Sequence, residues 1–310
     1  MLPAHEDGHP GAGRHPDPQG GQLMGLLRAK LRERRIWERI FRERLSEPLH
    51  LNLLSLPVAL FGGFRAKVYF DLVVRQQHAF CLLRAADQAL AIGHRRISVV
   101  EFGVAQGAGL MNICDISQRI TRETGVAFDI FGFDTGKGMP PPVDWRDHPE
   151  SYFEGDFAMQ HDRLAARLPD NCRLVIGELA DTVPGFGDSL PSPLGFVSID
   201  VDYYSSTSQA LRLLGETAPE HLLPVVPCYF DDIFFDQHNR WSGELLAIEE
   251  FNAAHAMRKI DRFTFLAKKR LFRNAQWIDQ VFALHALDHP WRSPGMHAAT
   301  NRVLTNPYLD

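Results

Sequence analysis

Three aspartates are the residues of this chain most suited to chemistry. Asp200 closes the apolar run Val197-Ser198-Ile199, and Asp231 and Asp232 close Cys228-Tyr229-Phe230. If both runs are neighbouring parallel strands, the carboxylates meet at one edge, where uncompensated acids repel and a divalent cation is the natural partner. All-oxygen donors select Mg²⁺, Mn²⁺ or Ca²⁺ over zinc. The competing reading has Asp202 or Asp232 capping the next helix while the others are solvated. A second constellation is Val99-Val100-Glu101-Phe102-Gly103-Val104-Ala105-Gln106-Gly107-Ala108-Gly109. Here an apolar run ends in an acid and turns through glycines into an amphipathic segment. Glycine lets the backbone turn sharply and lie against a ligand, and the helix that follows points unpaired N–H groups into the same space. A third is Gly132-Phe133-Asp134-Thr135-Gly136-Lys137-Gly138-Met139-Pro140, an acid at a strand tip facing the glycine turn.

The spacing discriminates between ligands. Dinucleotide folds use G-x-G-x-x-G to seat a pyrophosphate. Here the order is Glu-x-Gly-x-x-x-Gly, and the acid two residues before the first glycine would repel a pyrophosphate. The same acid can accept from the ammonium of a methionine-derived ligand, which favours S-adenosylmethionine over NAD. An acid at the tip of strand two, Asp134, would take the ribose hydroxyls.

These positions need elements to hold them. Strands are expected at 97–102, 128–133, 173–176, 194–199, 225–230, 263–266 and 278–285, and helices at 70–91, 110–121, 163–168, 205–214 and 243–255. Strands alternating with helices imply a parallel sheet covered on both faces. The last two strands have only a loop between them and must pair antiparallel. The expected fold class is therefore α/β, doubly wound and Rossmann-like: a mostly parallel seven-stranded sheet with an antiparallel last strand, as in class I methyltransferases. With that polarity His285, Asp288 and His289 fall at the edge opposite the ligand and read as structural. The Lys268-Lys269-Arg270 loop emerges on the active edge, either meeting an anionic acceptor or solvated.

The rest of the chain sets bounds. With 310 residues and 45% hydrophobic content, there is enough for one large core plus an appendage. A balance of 33 basic and 38 acidic residues, net −5, gives no global signal for nucleic acid. Four scattered cysteines form no CxxC pair and read as buried hydrophobes in a reducing compartment. There is no transmembrane-length apolar stretch and no signal-peptide pattern, so a cytoplasmic location is the expectation. Residues 1–21 are rich in Pro, Gly and His and are expected to be disordered. Residues 23–47 read as a charged helix whose apolar stripe packs on the main domain or on a second copy, giving a homodimer, in preference to an anionic membrane. Pro48 and Pro57 mark a loop. The domain reading is 1–21 tail, 22–69 helical extension and loop, and 70–310 ligand-binding domain.

The glycine turn, GFDTGKGMP, SIDVDYYSST, and FDD followed by GELLAIEEF together resemble the macrocin-type O-methyltransferases over about 70–256. That resemblance implies a class I, Mg²⁺-dependent enzyme that methylates sugar hydroxyls of natural products. It implies S-adenosylmethionine contacts at Glu101, Gly103, Val104, Ala105, Gly107, Asp134, Thr135 and Asp200, and a metal on Asp200, Asp231 and Asp232. The chain departs from the family at Ile233-Phe234-Phe235-Asp236-Gln237-His238, where a tyrosine or similar residue usually follows the aspartate pair. For catalysis, His238 is the candidate base in the loop after strand five, and Tyr203 or Tyr204 the candidate for orienting the acceptor, with aromatic lining of the site as the competing reading. The expected function is S-adenosylmethionine-dependent O-methylation of a small-molecule or glycan hydroxyl. The alternatives are a non-catalytic scaffold of the same fold and a metal-dependent, hydroxylase-like enzyme.

Overall fold

A computed structural model describes residues 43–234 and 239–295. The chain first forms α1 (Leu49–Phe61), α2 (Phe64–Tyr69) and α3 (Gln76–Ala91), then β1 (Arg96–Phe102), α4 (Ala108–Thr124) and β2 (Ala127–Asp134). Next come α5 (His161–Ala165), β3 (Cys172–Ile176), α6 (Leu179–Thr182), β4 (Leu194–Ile199), α7 (Tyr204–Glu216) and β5 (Val225–Phe230). The described chain closes with α8 (Gly243–Ala254), β6 (Arg258–Arg262), α9 (Leu266–Lys269) and β7 (Val281–Ala286). No described helix is long and apolar enough to cross a membrane.

The seven strands form one sheet in the order β3-β2-β1-β4-β5-β7-β6. β1 to β5 pair parallel, and β7 runs antiparallel between β5 and β6. This is the doubly wound arrangement with the reversed last strand that the alternation of elements implies. The central strands β1 and β4 are buried almost throughout, as strands covered on both faces must be. The helices bring one apolar face each: Leu82, Ala85, Ala86 and Ala89 from α3, and Leu110, Ile113, Ile116 and Ile120 from α4, are fully buried.

Several expectations need correction. The sixth strand is Arg258–Arg262 and not 263–266. Arg258 and Ile260 face inward while Asp261 is exposed, and this period of two is all that a strand at the sheet edge requires. Phe265 instead takes a left-handed turn, φ 65°, at the start of α9. The seventh strand begins at Val281, after a 3₁₀ turn over Gln276–Gln280. The stretch marked by Pro48 and Pro57 is helical: Pro48 precedes α1 and Pro57 lies inside it. The carbonyl that Pro57 leaves unbonded belongs to exposed Leu53, where water can serve it. The helix expected from residue 70 starts at Gln76, because Arg75 breaks the run in a left-handed conformation. Of the charged N-terminal helix only residues 43–47 are described; residues 1–42, with the tail expected over 1–21, lie outside the described residues.

Candidate functional site

The register of the sheet aligns the candidate residues. Phe102 stands beside Phe133 and Ile199, and Ile199 beside Phe230. The ladder continues one step further: the N–H groups of Gly103, Asp200 and Asp231 donate to the carbonyls of Phe133, Phe102 and Ile199, each at 3.0 Å. Gly103, Asp200 and Asp231 therefore sit side by side at the carboxyl ends of adjacent strands, with Asp134 closing β2 next to them. In open α/β sheets this crevice is where ligands bind.

The turn after β1 is locked onto β2. The Val104 and Ala105 N–H groups donate to Asp134 Oδ2 at 2.9 and 2.8 Å, and the Gly136 N–H donates to Oδ1 at 2.7 Å. Three of roughly four acceptor sites on Asp134 are thus used by the backbone, which leaves about one for a ribose hydroxyl. Thr135 turns its hydroxyl into its own loop, donating to the Gly138 carbonyl at 2.8 Å. Gly107 opens α4 with φ 82°.

The reason for glycine at 103 differs from the sequence expectation. Its φ is 83°, and a Cβ there would lie 1.7 Å from the Asp200 carbonyl oxygen. The missing side chain makes room for the neighbouring strand and not for a ligand. At Gly107 too, a Cβ would meet the protein, 2.3 Å from Leu164. Gly109 is the residue that opens space for a charged group: a Cβ there would come within 2.1 Å of Glu101 Oε1. Glu101 is 1% exposed and its Oε2 has no hydrogen-bond partner. Burial, with Asp200 next in effect, raises its pKa well above the ordinary carboxylate range. A buried oxygen left in this state seeks a donor, and the ammonium of a methionine-derived cofactor fits it.

The three aspartates meet as expected. Asp200, Asp231 and Asp232 each offer a carboxylate oxygen, and these oxygens lie within 4.8 Å of one another. Desolvation first, then the charge of Asp231, pushes Asp200 up to about 8. Asp232 is raised well above its ordinary value by burial and then by Glu244. Tyr229 donates its hydroxyl to Asp231 Oδ1, and Gln280 holds the Asp231 carbonyl at 2.7 Å. Asp232 Oδ2 accepts from the Asp202 N–H at 3.1 Å. Neither Asp202 nor Asp232 caps a helix. The N-cap positions of α7 and α8 are Tyr203 and Ser242, and neither side chain bonds to its helix. Asp147 reaches in to serve α7, accepting from the Ser205 N–H and hydroxyl at 2.8 Å each. The all-oxygen set and its mutual repulsion fit a hard divalent cation.

The proposed catalytic residues fare differently. Tyr203 is fully buried, its ring edge-on to Tyr152 at 5.9 Å, and its hydroxyl has no partner. Burial pushes Tyr203 up to about 12. His238 lies outside the described residues. Lys268 and Lys269 follow β6 at the strand-tip edge, but Arg270 is buried, bonded to the carbonyl of Val68 at 2.8 Å and to Asp71. It anchors the segment before α3 and is not offered to an acceptor.

Several residues at this edge were not singled out from sequence. Glu244, 1% exposed with one oxygen unpartnered, receives the Asp232 N–H at 3.1 Å. Tyr229 was visible in principle, because strand alternation puts it on the same face as Asp231. Asp147, Tyr152 and Arg75 reach the site from loops, where no periodicity announces them.

No family model matches the chain, and no curated protein does. Solved structures are similar at low level. The calicheamicin methyltransferase CalS11 is 19% identical, over 79% of this chain and 90% of its own, with a TM-score of 0.44. The O-methyltransferase NovP is 18% identical, over 57% and 72%, with a TM-score of 0.41. An O-methyltransferase from Bacillus cereus, in complex with SAH, is 14% identical over 68% and 80%, with a TM-score of 0.37. The strand order of the chain itself, and not these likenesses, carries the fold.

Proposed function

We propose that this chain is an S-adenosylmethionine-dependent O-methyltransferase that acts, with Mg²⁺, on a hydroxyl of a sugar, glycan or other small natural product. The observation that supports it is the meeting, at one sheet edge, of a turn carrying the buried, half-unpartnered Glu101 with three aspartates whose oxygens lie within 4.8 Å. Glu101 and the turn 103–109 would hold the methionine part of the cofactor, and Asp134 would accept from its ribose. Asp200, Asp231 and Asp232 would hold the cation, with Asp231 oriented by Tyr229 and Asp232 by the Asp202 backbone. Bound S-adenosylmethionine supplies the methyl group, and a bound divalent cation would polarise a ligated hydroxyl and lower its pKa. The chain itself contributes placement. The cofactor turn and the aspartates sit on adjacent strands, so the two reactants are held side by side and the entropy of bringing them together is met on binding. The acceptor proton would pass to a base in the loop after β5, for which His238 is the candidate.

Thermal unfolding tests the metal part directly. The wild type should be stabilised by Mg²⁺, by about 2.7 kcal/mol at a hundredfold excess over Kd. Asp231→Asn should lose that response while its metal-free form melts no lower, since one repelling charge is gone. A wild-type melting curve that ignores millimolar Mg²⁺, Mn²⁺ and Ca²⁺, with and without S-adenosylmethionine, would remove the metal from this reading.

A further inference from the structure

The strand-tip edge has a lopsided charge. Glu101, Asp200, Asp231, Asp232 and Glu244 converge there, and a methionine-derived cofactor brings a carboxylate of its own as well as an ammonium. Acids alone would welcome one end of that zwitterion and repel the other. Among the described residues, the basic side chain whose charge acts on Glu101, Asp200 and Tyr229 alike is Arg75. It stands at the N-cap of α3. Because α3 leads directly into β1 and runs antiparallel to it, this helix end lies at the same edge as Glu101.

Arg75 is partly buried, yet among the described residues no carbonyl or carboxylate accepts from its guanidinium. Its backbone is left-handed, φ 51° and ψ 64°, a conformation that side chains other than glycine and asparagine rarely adopt. The segment around it is pinned. Asn112, in the first turns of α4, donates from Nδ2 to the Val74 carbonyl at 3.3 Å, and its Oδ1 pairs with His78 Nδ1 at 3.2 Å. Gln76 donates to the Val68 carbonyl, and the His78 ring packs edge-on against Tyr229 at 5.8 Å. No side chain caps α3, so a serine or aspartate that would relieve its N-terminus is absent where an arginine is held instead. Strained non-glycine residues of this kind, fixed by their surroundings, concentrate at binding sites.

We propose that Arg75 binds the α-carboxylate of the methionine part of S-adenosylmethionine while Glu101 Oε2 takes its α-ammonium, so that the amino-acid head lies between the start of α3 and the tip of β1. This rests on the methyltransferase reading above. The planar guanidinium fork matches a carboxylate in two parallel hydrogen bonds, and the N–H groups opening α3 add to the attraction.

Calorimetry with S-adenosylmethionine and with its decarboxylated analogue, which keeps the ammonium, tests it. The wild type should bind the complete cofactor at least tenfold more tightly than the analogue. Arg75→Gln should remove that preference by weakening the complete cofactor about tenfold and leaving the analogue unchanged, and Arg75→Lys should recover part of it. Equal wild-type affinity for the two ligands overturns the proposal without any variant. So does an Arg75→Gln protein that keeps the preference, or one that loses both ligands in equal measure, since a purely structural role would do that. A wild type that binds neither ligand sinks the methyltransferase reading, and this inference with it.

Discussion

At the edge where β1, β4 and β5 end, Glu101 and Glu244 each keep a buried oxygen without a partner, and three aspartates crowd together. At the opposite edge Arg258 and His289 are fully engaged. Arg258 is bonded to Asp288 at 2.8 and 3.1 Å and to the carbonyls of Leu214 and Thr217 at 3.2 and 3.1 Å. His289 Nε2 meets the Leu222 carbonyl at 3.0 Å, and its Nδ1 accepts from the Trp291 N–H at 3.0 Å. Of His285, Asp288 and His289, read as structural from the sequence, Asp288 and His289 are bonded within the fold. Arg258 and His289 find their partners within the fold, whereas Glu101 and Glu244 each leave a buried oxygen open to a ligand. What separates Arg258 and His289 from Glu101 and Glu244 is hydrogen-bond satisfaction.

The contrast can be broken or sharpened experimentally. The largest effect is expected at the strand-tip edge, from backbone and not from charge. Gly103→Val forces a branched side chain into a left-handed position and onto the Asp200 carbonyl, and strain plus overpacking should cost about 4 kcal/mol. Urea unfolding should show the loss; a variant as stable as wild type would mean the strands there are not as tightly apposed as described. At the other edge, Arg258→Met strands Asp288 and two carbonyls, at about 3 kcal/mol by the same measurement. Calorimetry on the folded variant should show cofactor affinity unchanged, and a loss of affinity would end the division of labour between the edges. The smallest effect concerns pH. Burial first, then Arg75, lowers His78 from the ordinary 6.5 to about 3, so the folded ring stays neutral while the unfolded one takes up a proton. Its contribution to stability is complete above pH 6.5 and is lost as pH falls toward 3, about 2 kcal/mol by pH 5. His78→Gln should shrink the stability difference between pH 7 and pH 5 by that amount, and an unaltered difference would show that His78 does not titrate against folding.

The parallel part of the sheet was legible because buried strands must be apolar and must alternate with helices, a pattern strong enough to find five strands within a residue or two. β6 escaped because a strand at the sheet edge needs only Arg258 and Ile260 turned inward, and the more apolar run 263–266 nearby drew the assignment. α1 escaped because Pro48 and Pro57 outweighed their helix-compatible neighbours in a segment whose apolar residues are mostly exposed. At the site, Glu101, Asp134 and the three aspartates could be found because strand tips are fixed by the strands. Asp147, Tyr152 and Arg75 could not, since a loop can bring any residue to any place and leaves no spacing to read. The purpose of Gly103 was hidden for a related reason: its constraint comes from Asp200, about a hundred residues away.

The bonds made by Glu47 and Asp71 bear on how the chain is made. Glu47, 7% exposed, accepts from the N–H groups of Arg273 and of Asn274, the latter at 2.7 Å and 227 residues later in the chain. Asp71 is closed by Arg270, 199 residues downstream. On a ribosome adding roughly 5–20 residues per second, the early segment waits on the order of ten seconds or more before its partners exist. Residues 64–69 can pack early on α3, where Arg65 pairs with Asp87 at 2.7 Å, but Glu47 and Asp71 must wait for the β6–β7 connection, so that the contacts closing this early segment are among the last to form.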